Sequence, residues 1–173
     1  ELDCGINNTR SGIAVSENMI DWEFMGFLTS PEVDDRDNVL FPEKIDGRFA
    51  LLRRPMSYVG EEYACSGPSI WISYSENLQD WTDPVLVATA ENEWEGGKIG
   101  AASPPLKTES GWLTFYHGVD ENSIYRVGVM LLDLDDPGKV IARSPYFIME
   151  PVFMQAWDTG ISPYMDGVLT EEQ

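Results

Sequence analysis

At 173 residues, with 43% of them hydrophobic, the chain is long enough for one ordinary globular domain with a buried core. Thirty acidic against eleven basic residues give a net charge of −19, which argues against nucleic acid or an anionic membrane surface as a partner, because basic clusters bind both. No apolar run approaches the roughly 18 residues of a membrane-spanning helix, so we expect a cytoplasmic protein. Two cysteines are too few for a disulfide framework, and with one histidine no metal site is predicted.

The first predicted element is a hairpin over residues 12–28, and its turn recurs later in the chain. Residues 16–22 (SENMIDW) return as residues 75–81 (SENLQDW). Each copy follows a short apolar run, crosses an Asn/Asp turn and restarts at a tryptophan, which is typical of a hairpin. A repeat with a period of about 60 residues indicates stacked copies of one structural unit.

The next unit begins after an acidic, turn-rich connection over residues 31–37 (PEVDDRD), with a long loop over residues 56–68. Its strands are predicted over 39–41, 49–52, 70–74 and 84–88. A second acidic loop, residues 89–98, leads to a third unit from about Gly100 to Val140. The openings of the two units match, because Gly47 and Gly111 each lie in a polar turn before a β-rich run.

Alternating hairpins make four-stranded units, and such units arranged radially make a β-propeller. We therefore predict an all-β chain with little helix, a partial β-propeller over residues 1–143. Its blade pieces are predicted at about 1–30, 31–88 and 89–143, followed by a divergent C-terminal tail over 144–173. The side chains expected to be largely buried between blades are Trp22, Phe49, Trp71, Ile72, Trp81, Trp112, Leu113, Phe115, Val129 and Leu131.

Positive charge is scarce in this chain, and it is concentrated at predicted strand ends. The residues concerned are Arg36, Arg53, Arg54, Lys98, His117 and Arg126. In a propeller, one set of strand ends faces the central channel, where such a cluster would bind phosphate or carboxylate. Each residue also has a structural alternative. Either Arg53 or Arg54 could pair with a neighbouring acid, Lys98 could be a solvated loop lysine, and His117 could be a hydrogen-bonded structural histidine.

Several segments of the chain, in order, resemble glycoside hydrolase family 130. They are residues 37–55, with VLFPEKIDGR and Arg54-Pro55, residues 70–81 (IWISYSENLQDW), residues 98–119 (KIGAASPPLKTESGWLTFYHGV), residues 125–128 (YRVG) and residues 131–143 (LLDLDDPGKVIAR). The resemblance implies a five-bladed β-propeller and the chemistry of mannoside phosphorylases, with some mannosidases, acting on β-mannosidic bonds.

The resemblance also implies roles for individual residues. Phosphate would be bound by Arg36, Arg54, Lys98 and Tyr125, and His117 would line the sugar subsite. Inorganic phosphate would be the co-substrate, with no other cofactor and no metal. Once oriented, phosphate attacks the anomeric carbon directly, so the protein needs forked donors for it and an acid for the leaving oxygen.

The sequence departs from the family pattern at that acid. The family's general acid is an aspartate in a Glu-Asp-Pro-Arg segment, and no such segment occurs in the 173 residues. We therefore expect a truncated member that binds mannoside and phosphate but is inactive without the missing blades, and no catalytic residue is assigned. One alternative is a non-catalytic carbohydrate-binding or interaction module. A further alternative, a different five-bladed glycosidase family, would need several channel aspartates. An incomplete propeller would expose the faces of its end blades, so we also expect a homodimer.

Overall fold

The computed structural model describes residues 9–151, and the chain there is built almost entirely from β-strands. The strands are β1 (Gly12–Val15), β2 (Glu23–Phe27), β3 (Asp35–Leu40), β4 (Phe49–Pro55), β5 (Ile70–Ser75), β6 (Val85–Ala88), β7 (Lys98–Ala101), β8 (Leu106–Thr108), β9 (Gly111–Val119), β10 (Tyr125–Leu132) and β11 (Val140–Arg143). Two 3-10 turns, Glu61–Tyr63 and Glu93–Glu95, are the helical segments of the described part. No helix among these residues is long and apolar enough to cross a membrane. The all-β prediction is confirmed.

Three antiparallel sheets follow one another along the chain. Strands β1 and β2 form a hairpin, and β3-β4-β5-β6 form a four-stranded sheet in chain order. In the third sheet the order is β7-β9-β10-β11, with β8 paired to β9 beyond the end of β7. Each of the two larger sheets thus repeats an up-and-down arrangement of adjacent strands, which is the form of a propeller blade.

The repeated sequence forms the same turn twice. The Oγ of Ser16 accepts hydrogen bonds from the two amides that follow Glu17, and the Oδ1 of Asn18 accepts from the next two. Ser75 and Asn77 make the same four contacts in the second sheet. The residue after each asparagine has a left-handed backbone, with φ of 62° at Met19 and 66° at Leu78. Side-chain acceptors therefore close these turns, and their recurrence reflects the repeat in the sequence.

The main core lies between the second and third sheets. Its members are Phe41, Ile45, Ala50, Leu52, Ile70, Ile72, Ala88, Ile99, Ala101, Trp112, Tyr116, Met130 and Leu132. The edge-to-face contact of Phe41 with Trp112, at 5.2 Å between ring centroids, joins the two sheets directly. Apolar residues at alternate positions of facing strands therefore hold the two sheets together.

The burial predictions are right for part of the set. Of the ten side chains, Trp71, Ile72 and Trp112 are buried. Phe49, Trp81, Leu113, Phe115, Val129 and Leu131 are only partly buried. In β9 and β10 the alternation places Trp112, Tyr116 and Met130 toward the second sheet, so their neighbours point to the other face. The prediction expected side chains on both faces of these strands to be largely buried between blades.

The prediction for Trp22 is wrong, because its side chain is 56% exposed. The hairpin β1–β2 pairs with no third strand in the described part of the chain, so much of its apolar surface is uncovered. Two boundaries also differ from the prediction. Residues 35–37 belong to β3 instead of a connection, and the third sheet begins at Lys98 and ends with the strand Val140–Arg143.

One edge of the two larger sheets gathers the strand ends that carry the basic residues. Arg36, near the start of β3, lies opposite Arg54 near the end of β4. In the third sheet, Lys98 at the start of β7 and Tyr125 at the start of β10 both lie opposite Val119 at the end of β9. The topology therefore brings residues from distant parts of the sequence to one edge.

Candidate anion-binding site

Five side chains meet at this edge, and we call them the Arg54 cluster: Asp37, Arg54, Lys98, His117 and Tyr125. The Nη1 of Arg54 lies 3.0 Å from Nε2 of His117 and 2.7 Å from Oδ2 of Asp37. The Nε2 of His117 is 3.3 Å from the same carboxylate oxygen. Strands β3, β4 and β9, from two sheets, thus contribute one compact group of charged and polar atoms.

Lys98 and Tyr125 extend the cluster along the third sheet. The rings of His117 and Tyr125 are 5.5 Å apart between centroids, and the Nζ of Lys98 lies 5.5 Å from the centroid of the Tyr125 ring. Lys98 forms no ion pair with any of residues 9–151. Its charge is therefore a surplus of positive charge beside the Arg54–Asp37 pair.

A β-bulge places Asp37 in the cluster. Pairing of β3 with β4 shifts register between Arg36 and Val39, so two residues, Asp37 and Asn38, are inserted where one would keep the register. Asp37 has φ of +52°, in the left-handed region that a non-glycine residue seldom adopts. The Nδ2 of Asn38 donates to the carbonyl of Asp35 and to Oγ of Ser11, which fixes the other half of the bulge. The bulge turns the Asp37 carboxylate toward Arg54 and His117.

Glycine at position 100 provides the space for this carboxylate. A Cβ atom at Gly100 would overlap Oδ2 of Asp37 and lie 2.8 Å from Nη1 of Arg54 and 2.9 Å from Cε1 of His117. These distances are shorter than any ordinary van der Waals contact of a methyl carbon. The charged groups therefore pack directly on the backbone of β7.

The hydrogen bonding of the cluster is incomplete. Within the described residues, Oδ2 of Asp37 and Nε of Arg54 are buried and have no hydrogen-bond partner. Asp37 and Arg54 are close enough for an ion pair, but the angle at their contact is not that of a hydrogen bond. Buried polar groups nearly always find partners, so unsatisfied ones beside a cleft indicate a binding site.

Burial and charge set the protonation of His117. Burial lowers the pKa of His117 below its ordinary value, and the charges of Arg54 and Lys98 act in the same direction while Asp37 opposes them. Because a guanidinium only donates, the contact with Arg54 is a hydrogen bond when Nε2 of His117 is unprotonated. Burial likewise lowers the pKa of Arg54, with Asp37 opposing. The neutral imidazole is thus the form that this geometry favours at neutral pH.

A cleft of about 610 Å³ opens beside the cluster. It is lined by Asp37, Ala101, Ala102, His117, Tyr125, Arg126, Val127, Met149, Glu150 and Pro151. Residues 148–149 reach it by pairing with Val127 of β10, so this part of the predicted tail forms one wall. The cleft is large enough for a disaccharide-sized ligand.

Arg36, Arg53 and Arg126, the other predicted strand-end arginines, have acidic partners. Arg36 lies at the margin of the cluster, where its Nε and Nη2 donate to Asp34 at 2.9 and 2.7 Å. Arg126 lines the cleft but donates to Asp120 and Glu150. Arg53 points to the opposite side of its sheet and pairs with buried Asp35, which is the structural alternative raised for it.

Sequence reasoning missed Asp37 and Gly100. Asp37 was part of a stretch interpreted as an acidic connection, and its bulge depends on pairing with a strand more than ten residues away. Its signal in the sequence is the pair Arg36-Asp37 just before the apolar run Val39-Leu40-Phe41, where a strand is about to begin. Gly100 lies two residues after Lys98 at a predicted strand start, a place where a glycine suggests close backbone approach.

Comparison with known proteins gives the same family as the sequence motifs. A family model described as beta-1,4-mannooligosaccharide phosphorylase, of glycoside hydrolase family 130, matches residues 5–157. A 1,2-beta-oligomannan phosphorylase of Thermoanaerobacter sp. is 42% identical over 144 residues, covering 82% of this chain and 44% of the relative. A beta-1,2-mannobiose phosphorylase of the same organism is 42% identical over 137 residues, covering 79% of this chain and 41% of the relative.

The fold is also that of a solved structure. The beta-1,2-mannobiose phosphorylase from Listeria innocua, in complex with beta-1,2-mannobiose, superposes with a TM-score of 0.70 at 34% identity, over 82% of this chain and 38% of that one. This similarity confirms the predicted fold class, an all-β chain that forms part of a β-propeller. The chain spans less than half the length of each of these relatives.

Proposed function

Because this chain belongs to glycoside hydrolase family 130, we propose that it provides the phosphate-binding and mannose-binding side of a β-mannoside phosphorylase site. The observation that carries the proposal is the contact of Arg54 with His117, which joins two sheets at the cleft beside Lys98 and Tyr125. Phosphate would accept hydrogen bonds from Arg54, Lys98 and Tyr125, with Arg36 at the margin of the site. Sugar would lie in the cleft against His117.

The chemistry of the residues supports phosphate as the nucleophile. A guanidinium and an ammonium orient a phosphate oxygen by charge-assisted hydrogen bonds, so the attack on the anomeric carbon needs no catalytic base. The leaving oxygen still needs a proton from an acid. Asp37 is held between Arg54 and His117, so we do not assign it that role.

The substrate class that we propose is β-1,2-linked mannosides. The relatives named above carry that linkage in their names at 42% identity, whereas the family model is described by the β-1,4 linkage. Titration calorimetry with β-1,2-mannobiose and β-1,4-mannobiose, each with phosphate present, tests this. Tighter binding of the β-1,4 disaccharide would contradict the proposed linkage and leave phosphate binding standing.

The central experiment is a phosphate titration of thermal stability. Phosphate that binds only the folded chain raises its Tm. At a hundredfold excess over Kd, the added free energy of unfolding is about 2.7 kcal/mol. Arg54→Ala together with Lys98→Ala should abolish the rise. The matched control is Lys107→Ala with Lys139→Ala, which removes two exposed cations and should leave it intact. An equal Tm rise in both double variants would mean a general salt effect and would reject the site.

A non-catalytic role is the second candidate, and the sequence itself favours it. The 173 residues contain no Glu-Asp-Pro-Arg segment to supply the acid. We therefore expect this polypeptide alone to bind phosphate and mannoside without releasing mannose 1-phosphate. Release of that product from β-1,2-mannobiose by the purified chain would overturn this expectation and establish a complete phosphorylase.

Self-association belongs to the same proposal, and a cytoplasmic location remains a prediction. Several large apolar side chains of the described residues are exposed, on the hairpin and on the segment before Pro151. They are Met19, Ile20, Trp22, Phe24, Phe27, Tyr146, Ile148 and Met149. Such a surface is more than a monomer usually exposes, which supports the homodimer. Light scattering should give twice 19.4 kDa, and a stable mass of 19.4 kDa at tens of micromolar would reject it.

A further inference from the structure

We propose that Asp37 is an internal counter-ion of the Arg54 cluster: it holds Arg54 and His117 in place and competes with an anionic ligand for the same donors. The proposal rests on the proposed phosphate-binding function and adds a residue that opposes it. Loss of the Asp37 charge should therefore tighten anion binding. A residue that merely supported the site would weaken binding when changed, so the sign of the effect decides between the two.

The position of Asp37 supports competition. Its Oδ2 lies 2.7 Å from Nη1 of Arg54 and 3.3 Å from Nε2 of His117, so it occupies the space in front of the Arg54 guanidinium. An anion bound to the same guanidinium would have its own oxygen about 2.8 Å from the donating nitrogen. The carboxylate and the anion would then lie within a few ångströms, where like charges repel strongly in a partly buried site.

The backbone holds Asp37 there at a conformational cost. The left-handed φ of +52° at the bulge is unfavourable for aspartate compared with an ordinary strand conformation. Gly100 leaves the space that the carboxylate fills. A costly backbone conformation that places a charge against a binding site is a feature of function more often than of stability.

The weak hydrogen bonding of the pair makes exchange possible. Within residues 9–151, Oδ2 of Asp37 accepts no hydrogen bond and Nε of Arg54 donates none. An anion that offers oxygens in better directions can therefore displace Asp37 from Arg54 without breaking a well-formed hydrogen bond. Lys98 keeps the cluster positive overall, since one carboxylate faces two permanent cations.

The test is titration calorimetry with sulfate and with inorganic phosphate at constant ionic strength and pH 7.5. Asp37→Asn keeps the size of the side chain and removes its charge. We expect it to bind both anions at least about tenfold more tightly than the unaltered chain, because a repulsion of a few RT is removed. The matched control is Asp136→Asn, which removes one charge from an exposed pair with Lys139 beyond the far end of β10. It should bind as the unaltered chain does.

The outcomes separate this inference from the proposed function. Equal or weaker binding by folded Asp37→Asn, with binding by the unaltered chain intact, overturns the counter-ion and leaves the phosphate site standing. Equally tighter anion binding by Asp136→Asn would show that the effect comes from net charge alone, which would also overturn the counter-ion. Absence of anion binding in every variant would reject both the counter-ion and the proposed function.

A second measurement needs no folded variant. His117 is the one histidine of the sequence, so ¹⁵N-labelled histidine reports on this ring alone. Saturating sulfate should draw Nη1 of Arg54 from Nε2 and shift the Nε2 resonance of the unaltered chain. An Nε2 resonance that stays in place at saturation would show that the anion leaves Arg54 with Asp37 and His117, and the proposal would fail.

Discussion

Arg53 and Arg54 are neighbours on β4, face opposite sides of the same sheet and pair with aspartates from the same strand, yet their surroundings differ. The Nε and Nη2 of Arg53 both donate to Oδ2 of Asp35, the first at 2.7 Å, and Nη1 donates to Ser73 at 3.3 Å. Asp35 is fully buried. Arg54 meets Asp37 without hydrogen-bond geometry, and its Nε has no partner within residues 9–151.

The difference shows how one dipeptide can serve the fold on one side and a ligand on the other. A buried ion pair with its hydrogen bonds complete has no donors left for a ligand, so it links strands β3, β4 and β5. A pair with incomplete hydrogen bonding retains donors that an anion can use. The β-bulge after Arg36 separates the two cases, because the strand is in register at Asp35 and out of register at Asp37.

The largest effect should come from breaking the Arg53 side. Arg53→Ala leaves the Asp35 carboxylate buried without its partner, and breaking a buried pair in this way costs about 3–5 kcal/mol. Urea unfolding followed by tryptophan fluorescence measures the loss. We expect the fraction that stays folded to bind phosphate as before, because Arg53 points away from the cleft.

The matched change on the other side is Arg54→Ala. It should cost less stability than Arg53→Ala, because Asp37 lies at the cleft margin and water can reach it, and it should remove phosphate binding. If the two variants lost equal stability and equal binding, the two arginines would not have separate roles.

A smaller effect is expected from Gly100→Ala, which tests the Arg54 side alone. The added methyl group would overlap the Asp37 carboxylate and crowd Arg54 and His117, and overpacking of this kind costs about 1–3 kcal/mol. Anion binding should fall as well, since the donors move. Gly138→Ala serves as the control, because the nearest atom to its Cβ is an Asp136 carboxylate oxygen at 3.2 Å on an exposed side chain. Unchanged binding in Gly100→Ala would mean that the cluster tolerates displacement.

The fold was largely predictable because its determinants are local and repeated. The Ser-Glu-Asn turns carry their own acceptors, and strand alternation identifies β4, β5, β9 and β10, so the number and order of sheets follow from the sequence. The pairing of faces was not predictable to the same degree. Whether Trp112 or Leu113 faces the second sheet depends on register between sheets, which no local pattern specifies.

The candidate site was predictable where strand ends carry rare cations. Arg54, Lys98 and His117 were found in this way, and the structure brings them to one edge. Asp37 was not found, since a bulge arises from the mismatch of two paired strands and is invisible in either strand alone. Among thirty acidic residues, the position of Asp37 just before an apolar run is too weak a signal to single it out.

The smallest expected effect is a pH dependence of the free energy of unfolding, and it should come from the Arg54 side of the sheet and not from the Arg53 side. Burial lowers the pKa of His117 in the folded state below the unfolded value of about 6.5. The unfolded chain therefore binds the proton first as pH falls, so the stability contributed by neutral His117 is complete above pH 6.5 and is lost as pH falls through the folded pKa. The slope from one proton is at most about 1.4 kcal/mol per pH unit.

Urea unfolding between pH 7.5 and 5 measures this slope. His117→Gln should remove the part of the slope that is due to the imidazole. No other histidine can replace it, because His117 is the one histidine of the sequence. Arg53→Lys, a less disruptive change than Arg53→Ala, should keep the part of the slope that is due to His117, since Arg53 pairs with Asp35 on the side of the sheet away from His117. An unchanged slope in His117→Gln would show that His117 is not held neutral by the Arg54 cluster. That result would also remove the reason to assign Nε2 as the acceptor of Arg54, so the pH profile tests the chemistry of the site as well as its stability.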